Sequence, residues 1–173
     1  MKVATGLLVP AILVAACGPT DQASQAAGGA WRTTPLTDVR TGEAFTIADL
    51  EGKLIVIVPM AIWCFSCQVQ QAAVEEALSR GDQPDLVYVS LDIDPNERPE
   101  DLARYADEAG FTWRFAIASS DVARSLAGDF GDQVLSPPST PSILIGADGE
   151  FIEKHLGVRG AGELVTLFNR HRP

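Results

Sequence analysis

From Leu54 to Val58 every position is apolar, the pattern of a central strand buried on both faces, and Leu86 to Ile93 repeats it. Between them Cys67 to Arg80 is rich in Ala and Gln, with Val74 and Leu78 four apart on one helical face and Gly81 as a C-cap. Pro99-Glu100-Asp101 predicts a second helix start, because proline fits the first turn and acids there suit the dipole. Leu102, Tyr105, Ala106 and Ala109 continue that helix to Gly110, and Thr112 to Ala118 predicts a third strand. Ser120 is the expected cap of a helix carrying Val122, Leu126 and Phe130. Ser142–Ile145 and Phe151–Leu156 flank Ala147-Asp148-Gly149, an Asp-Gly hairpin signal, and Gly160 to Arg170 closes the chain as a helix with Leu164, Leu167 and Phe168 inward. Ahead of the first buried strand, Thr33 to Ile47 is broken by Arg40-Thr41-Gly42-Glu43, which predicts an N-terminal hairpin. Strands alternating with helices, ended by a hairpin, give an α/β fold: a central mixed β-sheet flanked by helices.

The first 30 residues follow another pattern. Behind Lys2, Ala4 to Ala16 is an apolar run of 13 residues, shorter than the roughly 20 that span a bilayer. It ends in Leu13-Val14-Ala15-Ala16-Cys17, which resembles the bacterial lipobox, where the cysteine is lipidated and becomes the first mature residue. The expected organisation is a lipoprotein signal peptide at 1–16, a flexible tether at 17–30 rich in Ala, Gly, Gln and Ser, and one domain at 31–173. The location this implies is extracytoplasmic: a lipoprotein anchored through Cys17, in a periplasm or on the outer face of the cytoplasmic membrane. With 23 acidic against 13 basic residues the formal net charge is −10, a field that repels phosphate backbones and excludes nucleic acid as a partner.

Once Cys17 is acylated, two of the three cysteines remain, Cys64 and Cys67. Bonded together they close too short a loop to staple a fold, so reactivity explains the pair better than stability does. Trp63-Cys64-Phe65-Ser66-Cys67 follows the buried strand and opens the Ala-rich helix. A helix start lowers a thiol pKa through its free N–H groups and positive dipole end. Cys64, at the exposed edge, is the expected nucleophile, and Cys67, one turn on, the expected resolving thiol. Zinc would require two further ligands, and only His155 and His171 remain, neither of them beside another ligand residue.

Residues 31–170 resemble the thioredoxin superfamily, and within it the TlpA/ResA-like group of membrane-anchored bacterial thiol–disulfide oxidoreductases. The matching features are Trp63-Cys64-x-x-Cys67, Thr140-Pro141 before a strand, Gly157 after the last strand, and Gly42-Glu43 with Leu50-Glu51-Gly52-Lys53 ahead of the first buried one. The resemblance implies a thioredoxin-like fold in which the helix at 98–109 and the strand at 112–118 form a central insertion. It implies that Pro141 is cis and lies against the cysteines and that Thr140 offers backbone hydrogen bonds to an extended substrate; Trp63, beside the nucleophile, is a candidate for the substrate-contact surface, with half-buried packing as the alternative. The implied activity is reduction of selected protein disulfides, without cofactor or metal, with a membrane electron donor as second partner. Val58 and Gln70 stand where relatives carry an acidic residue, so no carboxylate at the site is identifiable from the sequence.

The alternative is a Cu(I)-binding metallochaperone of the Sco-like type, which shares the fold. Such proteins resemble Cys-x-x-x-Cys with a histidine just before the strand, whereas this chain has one residue fewer and Ser139-Thr140-Pro141 at that place. Asp92-x-Asp94-x-Asn96 begins like a calcium loop but has Glu97 where glycine is required, so the acids are expected to end a strand and start a helix. Trp31, Phe111 and Trp113 are expected in the core.

Overall fold

A computed structural model describes residue 1, residues 29–81 and residues 83–173. The signal peptide expected at 1–16 (beyond its first residue) and the lipidated Cys17 lie outside the described residues, as does the tether up to residue 28. A short helix α1 (Ala30–Thr33) leads into a separate two-stranded hairpin, β1 (Leu36–Thr37) and β2 (Ala44–Phe45). The central sheet then alternates with helices: β3 (Leu54–Met60), α2 (Phe65–Ser79), β4 (Leu86–Asp92), α3 (Pro99–Glu108), β5 (Arg114–Ile117), α4 (Ser120–Phe130), β6 (Pro141–Ile145), β7 (Phe151–Leu156) and α5 (Ala161–His171). The strand order is β5-β4-β3-β6-β7, parallel from β5 to β3 and antiparallel across β3–β6 and β6–β7.

Alternation along β3 explains why its whole run is apolar. Leu54, Val56, Val58 and Met60 join a core with α2, α3 and α5, while Ile55 and Ile57 join a second core with α1, the hairpin and α4. The strand runs two residues past the expected end, through Pro59. Because β6 pairs only with Ile55–Ile57, Pro59 lies beyond the antiparallel ladder, where a strand tolerates a missing donor.

Two boundaries differ from the sequence expectation. Ser119, not Ser120, caps α4, its hydroxyl accepting the Val122 N–H at 3.3 Å. The α2 helix begins at Phe65, which makes Cys64 its N-cap. Trp31, Phe111 and Trp113 are buried as expected. Trp31 donates its indole N–H to Asp129 on α4 at 2.6 Å and thereby seats α1.

The hairpin is tied to the sheet edge rather than being part of it. Val39 N–H donates to the Phe115 carbonyl at 2.9 Å, and the Arg40 guanidinium caps the carbonyls of Phe111 and Trp113. Phe115 is fully buried against the mutually stacked Phe111 and Trp113, with Tyr105 edge-on at 6.2 Å. Phe115→Ala should therefore cost about 3–5 kcal/mol, seen as a lower urea midpoint with an unchanged denaturant slope. A loss below about 1 kcal/mol would show that this aromatic cluster does not organise the edge.

Candidate functional site

The crossover from β3 to α2 builds the site. The chain leaves the central strand at Met60, turns through Ala61-Ile62-Trp63 and enters the helix at Cys64. Cys64 N–H closes the turn on the Ala61 carbonyl at 3.1 Å, and Cys64 Sγ accepts the Cys67 N–H at 3.2 Å. The sulfur thus takes the place of an N-cap oxygen, satisfying one of the free donors at the helix start. The two cysteines are bonded as a disulfide, with their Cα atoms 5.2 Å apart.

Cys64 is not at an exposed edge in this oxidised state. It is 2% exposed and Cys67 fully buried, because the capping geometry folds Cys64 back over the first turn of the helix. The neighbours face solvent instead: Trp63 is 59% and Phe65 76% exposed, with Val69 one turn after Phe65. Together they make an apolar rim around a buried disulfide. Trp63 is further held by its indole N–H, which donates to Asp94 at 2.7 Å.

The opposite wall comes from a turn that sequence reading passed over. Residues Pro137–Ser139 form a single 3-10 turn. Cys67 Sγ lies 3.3 Å from the Pro137 carbonyl oxygen, and Ser66 Oγ donates to the Pro138 carbonyl at the same distance. The proline pair in Ser136-Pro137-Pro138 was the available signal, since rigid residues without backbone donors suit a fixed wall of acceptors. Pro141 opens β6 and is buried, but its peptide bond is trans: no cis bond occurs among the described residues. The chain is turned by Thr140 instead, at φ 46° and ψ 59°. The Thr140 N–H donates to the Pro137 carbonyl at 2.8 Å, so it is already used within the protein and not offered to a substrate.

The carboxylates that the sequence did not reveal enter from β4 and the loop after it. Asp92 ends β4 opposite Met60 and is fully buried. Its Oδ1 accepts the Asp94 N–H at 2.8 Å, while Oδ2 has no donor. Glu97 lies within hydrogen-bonding reach of Asp92 and accepts the Ile62 N–H at 2.9 and 3.0 Å through its two oxygens. Burial, aided by the proton shared with Glu97 and by the charges of Glu97 and Asp94, pushes the Asp92 carboxyl up to about 8. Spacing alone could not show this, because Glu97 reaches the turn across 35 residues of sequence separation.

Gln70 and Gln71 complete the support of α2. Gln70 accepts the Arg159 N–H at 2.7 Å and so docks α2 against the loop before α5. Gln71 donates to Met60 Sδ at 2.8 Å and accepts the Tyr105 hydroxyl at 2.7 Å, joining strand, helix and α3. His155 sits half-buried on β7 opposite Ser142, its pKa lowered by burial and by Arg159. Among the described residues no group of three or more His, Cys, Asp or Glu is disposed to hold a metal ion, and no helix is long and apolar enough to cross a membrane.

No family model and no curated protein sequence matches the chain. Solved structures do. A thiol:disulfide interchange protein of the thioredoxin family from Chlorobium tepidum superposes with a TM-score of 0.69 at 19% identity, covering 80% of this chain and 92% of that one. A secreted Mycobacterium tuberculosis disulfide oxidoreductase, homologous to Escherichia coli DsbE, gives 0.57 at 15% identity, covering 79% and 95%. BsSco, a member of the Sco family of cytochrome c oxidase assembly proteins, gives 0.62 at 17% identity, covering 80% and 90%. At these identities the likeness speaks to architecture, and it agrees with the observed strand order and helix placement: the chain has a thioredoxin-like fold.

Proposed function

We propose that this protein is an extracytoplasmic thiol–disulfide oxidoreductase, tethered through a lipid on Cys17, that reduces selected protein disulfides. The observation that carries the reading is the Cys64–Cys67 disulfide at the start of α2, rimmed by exposed Trp63, Phe65 and Val69. In the reduced form the Cys64 thiolate attacks a substrate disulfide. One substrate sulfur leaves as a thiolate and takes a proton, and a mixed disulfide remains on Cys64. Cys67 then gives up its proton and attacks Cys64 Sγ. The second substrate thiolate departs and the Cys64–Cys67 bond closes; the protein has lost two electrons and the substrate has gained them. The α2 N-terminus favours the attacking thiolate, and the burial of Cys67 keeps water and foreign thiols from competing with resolution.

The apolar rim gives an extended, partly unfolded polypeptide something to bind. A membrane electron donor would return the pair to its dithiol state. The likeness to a thiol:disulfide interchange protein and to a disulfide oxidoreductase supports disulfide exchange as the chemistry, and the lipobox-like segment supports the location.

Two tests address the reading directly. In the full chain, Cys67→Ser should accumulate mixed disulfides on Cys64, detected as protein-sized adducts that dithiothreitol removes. No adducts from a folded variant would overturn the assigned roles. The reduction potential of the wild-type pair, with Cu(I) titrated in parallel, sets direction and rival together. A two-electron couple more reducing than about −200 mV and indifferent to Cu(I) is expected. A more oxidising value would make the protein a disulfide donor, and tight stoichiometric Cu(I) binding with poor exchange would make it a copper carrier.

The rim makes a separate prediction. Phe65→Ser should lower kcat/KM for a disulfide-bonded unfolded protein about tenfold, equivalent to about 1.4 kcal/mol. Exchange with a small neutral disulfide should stay within about twofold, since that substrate needs no apolar contact. Equal losses on both substrates would show that Phe65 acts on the cysteines and not on binding.

A further inference from the structure

Asp92 and Glu97 stand together without a cation. Among the described residues no ion pair reaches either of them or Asp94. Asp92 Oδ2 is buried with no donor, and the group in reach is the Glu97 carboxyl, itself an acceptor of the Ile62 N–H. The buried Asp92 carboxylate and the half-buried Glu97 carboxylate repel in such contact, and one shared proton turns the contact into a hydrogen bond. Ile62 is two residues before Cys64, and its carbonyl accepts the Gln68 side-chain amide at 2.8 Å. The pair is therefore linked through one residue, Ile62, to both the redox turn and the first turns of α2.

We infer that the Asp92–Glu97 pair is a proton-dependent positioning unit: sharing one proton, it holds the turn at residues 61–64 through the Ile62 N–H, and loss of that proton releases the turn and slows thiol–disulfide exchange. Neither residue touches the sulfurs. The inference rests on the exchange chemistry proposed above and adds a regulation to it. Asp94 adds negative charge from the same loop, Tyr105 of α3 lies near enough to feel the Glu97 charge, and Met60 of β3, bonded to Gln71 of α2, lies opposite Asp92. Tyr105 is pushed up to about 12 by burial and by Glu97, so it stays neutral while Asp92 titrates. The titration near pH 8 is thus that of the Asp92 carboxyl.

Stability follows with a definite sign. A carboxyl that titrates near 3.8 when unfolded and near 8 when folded binds more protons in the native state between those values. Stability is then greatest below the lower value, falls as pH rises between them and levels off above the upper one.

The test uses the full chain in wild-type, Asp92→Asn and Glu97→Gln forms. Each amide can donate to the remaining carboxylate, so each variant keeps the contact and removes the shared proton. The rate at which reduced protein cleaves hydroxyethyl disulfide is followed from pH 5 to 10. Wild type should accelerate as Cys64 ionises and then slow at least threefold beyond about pH 8, whereas Asp92→Asn should reach a plateau. The wild-type melting temperature should fall between pH 5 and pH 8, and that of Asp92→Asn should vary less. A wild-type rate that does not fall, or a fall that Asp92→Asn retains, overturns the inference. If Asp92→Asn does not fold, Glu97→Gln decides by the same criteria. Should wild type cleave no disulfide at any pH, the proposed function fails, and the Ile62 amide resonance then decides the coupling alone. A shift of that resonance near pH 8, absent in Asp92→Asn, supports it, and an unmoved resonance overturns it.

Discussion

The structure depends on one constraint: the main chain must leave a fully buried strand and start a helix within four residues without losing its hydrogen bonds. Met60 ends β3 in the dry interior, and Phe65 begins α2. Several of the polar groups between them are satisfied from elsewhere. Glu97 takes the Ile62 N–H, the Gln68 side chain takes the Ile62 carbonyl, Cys64 closes on Ala61, and Cys64 Sγ accepts from Cys67. Burial without such partners would cost about 1–3 kcal/mol for each group. The reactive sulfur is itself one of the caps, so support of the turn and redox chemistry use the same atoms.

That economy explains the surroundings. Because β3 is central, elements on both faces press on the turn, and the carboxylates can reach it only from the neighbouring β4 and the loop that follows. On the opposite wall the Pro138 carbonyl accepts the Ser66 hydroxyl, and the Pro137 carbonyl, which accepts the Thr140 N–H, lies against Cys67 Sγ. Among the buried carboxyls, Asp92 lies within hydrogen-bonding reach of Glu97, and burial with that neighbour raises its pKa. Apolar surface is left outside, on Trp63 and Phe65. The result is a buried disulfide with an apolar rim, the arrangement on which the proposed action on polypeptide substrates rests.

Much of this was legible along the chain. The run Leu54–Val58 announced a strand covered on both sides, and the Asp-Gly turn announced the final hairpin, because burial and turn geometry leave period and composition behind. Cys64 and Cys67 declared themselves by spacing and by their place between strand and helix. The boundaries were less secure: Ser119 displaced Ser120 as a cap, and Pro59 was absorbed into β3 because β6 stops short of it.

By itself, then, the sequence determined the order of elements, the two layers of core, and which residues carry the redox chemistry. These follow from local periodicity, residue type and spacing, which neighbours in the chain set. Only the tertiary structure decided that Cys64 caps its helix and is buried, that Pro137 and Pro138 wall the site, and that Pro141 is trans behind a left-handed Thr140. Asp92 and Asp94 read as the end of a strand and the start of a helix, and only folding set Asp92 beside Glu97 and Glu97 against Ile62, 35 residues away. A carboxyl's partner and protonation are set by what surrounds it in space, and no pattern of neighbours along the chain encodes that.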